Sequence, residues 1–153
     1  MAKRRKRTNK QVPAKGRLRD ICDRLWSRAI VTEWNHRCAV CGHQKCEAHH
    51  LVPRQNQATR YDLYNGVALC PKCHKFSPDI SPHQNAAAWM TWLVRNQPNL
   101  HEWYCDNAWK RFDGQTTAAY YCDVIQKLKE YVEDEDFDRI VGIRFSAWLE
   151  EQG

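Results

Sequence analysis

A chain of 153 residues has room for one hydrophobic core of ordinary size but not for two large ones. Its 42% hydrophobic content is that of a folded domain, and no apolar run reaches the ~18 residues of a membrane span. The net charge of +6 is uneven, because residues 1–28 hold eleven Lys/Arg against only Asp20 and Asp23, leaving the remainder slightly acidic. In chain order, "KRRKR" is too dense in like charge to fold alone and predicts a disordered basic arm over residues 1–15. Such an arm either solubilises the chain or meets nucleic acid, since each phosphate neutralised by Lys3, Arg4, Arg5, Lys6 or Arg7 releases condensed counterions. From Leu18 to Trp34, Leu18, Ile21, Leu25, Ala29 and Ile30 recur mostly at three- and four-residue steps, which predicts an amphipathic helix. Residues 36–76 are irregular and rich in Cys, His and Asn, and suit strands of three to five residues with tight turns.

Beyond Pro82 the pattern turns helical. "NAAAWMTWLVRN" predicts a helix capped by Asn85 and stopped before Pro98. "NLHEWYCDNAWKRF" predicts a second, closed at Asp113-Gly114, and "TTAAYYCDVIQKLKEYVE" a third, with Tyr121, Ile125, Leu128 and Val132 on one stripe. The acidic "EDEDFD" leads to a short last helix near Ile143 to Leu149. The aromatics of these helices read as packing residues. Three units result: the arm, a metal-stabilised core over residues 16–96, and a helical region over residues 97–153.

Eight cysteines in so short a chain raise the question of disulfides, but four of them form two CxxC pairs, the pattern of a metal site in a reducing compartment. The basic N-terminus lacks the apolar stretch of a secretory signal, so the expected location is cytoplasmic. Cys38, Cys41, Cys70 and Cys73 can offer four thiolates to one structural zinc, which favours a closed tetrahedral shell. Gly42 and Pro71 suit the tight turns this requires, and Cys46 competes with Cys38 as the partner of Cys41. Cys22, Cys105 and Cys122 fall on predicted helices and read as core thiols.

Between the knuckles lies "EAHHLVPR". Adjacent residues on a strand point to opposite faces, so His49 and His50 suit two different tasks better than one shared ion. On its own such a pair is as often structural as functional. The ordered set "C-x2-C…EAHHLVPR…N-x4-C-x2-CH" resembles the HNH, or ββα-metal, endonuclease motif in its zinc-stapled form. "RYDLYNGVALCPKCHKFSPDISPH", with the basic arm and helical tail, is similar to phage recombination nucleases of the NinG/Rap type.

The resemblance implies an α+β fold: a small zinc-stabilised ββα-metal finger flanked by an N-terminal helix and a helical C-terminal half. It implies that His50 is the general base, that Asn65 orients the loop and the base, and that His49 and His74 bind a catalytic cation. His83, nine residues beyond His74, is a further candidate ligand. The implied activity is metal-dependent hydrolysis of DNA phosphodiesters with Mg²⁺ or Mn²⁺, in a bacterial host cell if the chain is phage-encoded. Branched recombination intermediates, Holliday junctions or D-loops, would be the substrates, and two coordinated incisions would call for a homodimer. The chemistry agrees, because a neutral imidazole is a suitable base near pH 7 and a half-open cation site leaves positions for phosphate oxygens. Arg54 and Arg60 are candidate phosphate clamps. The competing reading is a zinc-ribbon nucleic-acid-binding accessory protein without catalysis, which would not need the His50, Asn65 and His74 set.

Overall fold

The computed structural model describes residues 12–153. Lys3, Arg4, Arg5, Lys6 and Arg7 lie outside the described residues. Helix α1 spans Lys15–Glu33. It buries Leu18, Ile21, Cys22, Leu25, Trp26, Ala29 and Ile30, an unbroken series of three- and four-residue steps that forms one apolar stripe. After it the chain reverses through Asn35 and His36, both with positive φ (54° and 56°), a conformation that Asn and His tolerate better than most residues. That turn delivers the first knuckle.

Strands β1 (Glu47–His50) and β2 (Gly66–Leu69) form an antiparallel pair, with Glu47 opposite Leu69 and His50 opposite Gly66. A 3₁₀ turn, Leu63–Asn65, leads into β2, and a short π-helical turn, Lys72–Phe76, follows it. The knuckle joins the sheet through Ala39 N–H, which donates to the Ala68 carbonyl at 2.8 Å.

Helix α2 covers Ala86–Asn96, and the Asn85 side chain caps it by accepting from Ala88 N–H. Helix α3, Pro98–Asn107, opens on a proline, which suits the first helical turn. It stops five residues short of the predicted Phe112 and fully buries none of its side chains; Trp109, just past its end, is 71% exposed. The expectation that every C-terminal aromatic packs in a core is therefore corrected here, as is the expectation of a core thiol at Cys105, which is exposed. Helix α4 is Ala118–Lys129, capped by Thr117. The acidic segment, expected to be a lead-in, is itself helix α5, Asp134–Val141. Asp134, Glu135 and Asp136 occupy the first turn, where the helix dipole favours them, while Phe137, Ile140 and Val141 form the buried stripe. Gly142, at φ 93°, breaks the helix before α6, Ile143–Gln152.

The apolar residues gather in two clusters. One joins α1 to α4, α5 and α6 around Trp26, Ile125 and Phe137. The other lies under the knuckles and α2, around Val67, Leu69, Trp89 and Leu93. The sheet runs between them. The fold is α+β, and none of its helices among the described residues is long and apolar enough to cross a membrane.

Candidate active site

The four knuckle cysteines converge, with all four sulfurs within 4.8 Å of one another. Cys41 and Cys70 sulfurs are 3.6 Å apart, close to the ~3.8 Å edge of a tetrahedron with metal–sulfur bonds of ~2.3 Å. Gly42, at φ 75°, lets the first knuckle curl so that its N–H donates to the Cys38 carbonyl. Burial raises the Cys38 thiol, but hydrogen bonds from the backbone of Cys41, Cys70 and Val40 overcome it and bring the value down to about 7. A thiolate at neutral pH is what a zinc ligand requires. Cys46 stands outside this cluster.

On the sheet, His49 and His50 leave β1 in opposite directions. His49 meets His74 and His83: its Nδ1 lies 3.1 Å from His74 Nε2, which lies 3.2 Å from His83 Nε2. Metal–nitrogen bonds of ~2.0–2.1 Å place cis nitrogens roughly 2.9–3.4 Å apart, so the three imidazoles fit one ion. The fit extends to protons. His74 Nδ1–H donates to Glu47 Oε1 at 2.6 Å, which leaves Nε2 as the lone-pair nitrogen facing His49 and His83. Lys75 holds the same carboxylate at 3.1 Å. Ser81 is fully buried and joins the two later ligands, donating to the His74 carbonyl and accepting from His83 N–H. Burial, reinforced by His74 and His83, pushes His49 down to about 3; burial also lowers His74, against the pull of Glu47. His49 and His74 therefore stay neutral at pH 7, the form that binds metal. Trp89 of α2 backs His49 edge-on at 5.6 Å.

His50 faces the other way. Its Nε2 is 3.0 Å from the Arg60 carbonyl, which can only accept, so the proton is on Nε2 and Nδ1 carries the free lone pair. Burial holds it at about 4. Its ring stacks on Trp26 at 3.7 Å between centroids and 10° between planes.

Asn65 has no exposed surface. It donates to the Val52 and Thr59 carbonyls and accepts from Val52 N–H at 2.7 Å, closing the loop between the strands. Arg60 departs from the expected phosphate clamp. Its guanidinium makes a two-pronged pair with Asp23 at 2.9 and 2.7 Å, and its side chain is only 14% exposed. Arg54 is exposed.

The structure thus groups His49, His74 and His83 in one place, His50 on the opposite face of β1, and the cysteines at the knuckles. Glu47 and Trp26 escaped the sequence reading. Glu47 opens the "EAHH" strand, and a carboxylate two residues before a ligand on the same strand face is a signal within reach. Trp26 carries none, since in sequence it is one bulky apolar residue of a helix, with no spacing that ties it to His50.

The HNH endonuclease family model matches residues 36–76, the span from the first knuckle to the π-helical turn. No curated protein and no solved structure matches the chain. The matched family is one of phosphodiester-hydrolysing nucleases, which act on nucleic acid with a divalent metal.

Proposed function

We propose that this chain, which carries an HNH endonuclease segment over residues 36–76, cleaves DNA with His50 as general base and a divalent cation held by His49, His74 and His83. The observation that carries the reading is the division of labour across β1. One histidine face is a three-nitrogen cation site in which Glu47 draws the proton of His74 away from the ion. The other presents a single imidazole whose Nε2–H is tied to Arg60, leaving Nδ1 to take a proton from water. Bound among the three imidazoles, the cation supplies positive charge for the phosphate oxygens and the departing 3′ oxygen. An all-imidazole set favours Mn²⁺ and the later divalent ions over Mg²⁺, which prefers oxygen ligands. Zinc at Cys38, Cys41, Cys70 and Cys73 is structural and holds the finger that presents the ligands.

The likeness to recombination nucleases supports branched DNA as the substrate, with paired incisions by a homodimer in the cytoplasm of the cell. Arg54, exposed beside the loop that Asn65 closes, is the arginine free for phosphate, and the basic arm adds affinity without sequence choice.

The test is cleavage of plasmid, linear duplex and a four-way junction with Mn²⁺, with Mg²⁺ and with EDTA, for the native chain and for His50→Ala and His74→Ala. His50→Ala is expected to lose ~10²–10⁴-fold in rate, with zinc content and DNA binding intact. His74→Ala is expected to recover partly in excess Mn²⁺, and His50→Ala not at all. Native-rate cutting by His50→Ala refutes the base assignment; no cutting by the native chain under any metal leaves a zinc-stabilised DNA-binding protein.

A further inference from the structure

The HNH match begins at residue 36, yet two side chains from α1, well before it, close on the base that it contains. Trp26 is buried, and its indole N–H donates to the Asp62 carbonyl at 2.9 Å, so the ring is fixed without help from His50. It then lies flat against the imidazole. One turn earlier on the same helix face, Asp23 accepts both prongs of the Arg60 guanidinium. The carbonyl of that same Arg60 accepts the His50 Nε2–H. The approach of α1 depends on a missing side chain. Gly66 sits opposite His50 across the ladder, and a Cβ there would fall 2.3 Å from Ile30 Cδ1 and 2.8 Å from Trp26 Cζ2.

We propose that α1 is part of the cleavage machinery: Trp26 clamps the plane of the His50 imidazole, and Asp23, through Arg60, fixes the carbonyl that selects its tautomer. This rests on the assignment of His50 as the base. A hydrogen bond holds one atom of the ring but permits it to swing about its Cβ–Cγ bond, which sweeps Nδ1 through an arc. The indole face removes that swing. With both restraints in place Nδ1 is confined to one position and one protonation pattern before water arrives. Trp26 and Asp23 are positioning residues, because each acts through another group.

The experiment is single-turnover cleavage of linear duplex at saturating Mn²⁺ by the native chain, Trp26→Leu, Trp26→Phe, His50→Ala and the double variant Trp26→Leu/His50→Ala. Trp26→Leu is expected to lower the rate at saturating DNA on the order of 10²-fold, with KM for DNA nearly unchanged. Trp26→Phe, which keeps an aromatic face, is expected to recover most of that loss. The double variant is expected to be no slower than His50→Ala, since Trp26 has nothing left to act upon. A native rate for Trp26→Leu beside an inactive His50→Ala overturns this inference alone. A native rate for His50→Ala overturns the base assignment and this inference with it. A double variant slower than His50→Ala by the full Trp26→Leu factor places Trp26 in the fold rather than on the base, and also overturns it. Should Trp26→Leu lose zinc or cooperative melting, Asp23→Asn carries the test: about 10–100-fold loss of rate with KM unchanged supports the inference, and a native rate overturns it.

Discussion

Glu47 begins the strand that carries both histidines, and its carboxylate accepts the proton of His74 Nδ1. A ligand whose far nitrogen is so held binds metal in one tautomer and one orientation, and losing such a partner costs about 10–100-fold in metal affinity. Glu47→Ala is therefore expected to raise the Mn²⁺ concentration at half-maximal cleavage by that factor while leaving the rate at saturating Mn²⁺ nearly native; a metal titration of the cleavage rate reads both. The proposed base on the same strand, His50, makes a prediction about pH. Burial depresses His50 to about 4, so its neutral, proton-accepting form persists as pH falls and is lost only on passing through that value. At saturating metal the rate is expected to stay level between about pH 5.5 and 7.5, where an ordinary imidazole with a pKa near ~6.5 would lose most of its activity. A pH–rate profile that falls with a midpoint near 6.5 contradicts it. Of these residues the histidines were legible in the sequence, because their spacing from the knuckles is local. The burial that depresses His50 was not, since part of it is the stacked Trp26, 24 residues upstream on another element.

Helix α2 shows what a cap does for a site. Asn85 accepts from Ala88 N–H and donates to the Pro78 carbonyl at 3.2 Å, so one side chain starts the helix and holds the turn before it. The helix then presents Trp89 to His49. Asn85→Ala is expected to cost about 1 kcal/mol of stability, read from chemical denaturation, with little change in cleavage at temperatures where the protein remains folded. Caps and stripes of this kind made α1, α2 and α4 readable in advance, to within a few residues at each end. The failures have the opposite cause. In α3 the run of helix-compatible residues continues past Asn107, but the helix fully buries no side chain, and Asn56 takes the Ala108 and Lys110 carbonyls that a longer helix would use. In α5 the charges looked like a solvated linker, whereas three of them sit on the first turn and leave Phe137, Ile140 and Val141 to face α1 and α6. Composition read the surface and missed the stripe beneath it.

Across the whole molecule the two apolar clusters respond differently to metal. The cluster beneath the knuckles includes Cys38, Cys70 and Cys73 themselves, while the cluster of α1, α4, α5 and α6 contains no knuckle residue. Structural zinc in small finger peptides is worth roughly 10–16 kcal/mol, more than a four-residue ladder and short turns can replace. Stripping the chain with a thiol-directed chelator is expected to release one zinc per chain and abolish cleavage, with much of the far-ultraviolet helical signal surviving. Elemental analysis and circular dichroism on the same sample check both halves. Retention of cleavage after zinc release would count against it.

The opposed histidines on β1 have a consequence for motion. His49 leans on Trp89, which belongs to the finger cluster, and His50 lies on Trp26, which belongs to the helical one. The proposed base and the candidate cation site are thus mounted on different halves of the protein, joined by a single peptide link in a strand four residues long. Under the proposed function, any slippage of one half against the other would move the attacking water relative to the phosphate it must reach. The turnover rate becomes a ruler laid across that seam, sensitive to loosening that neither half would register in its own melting.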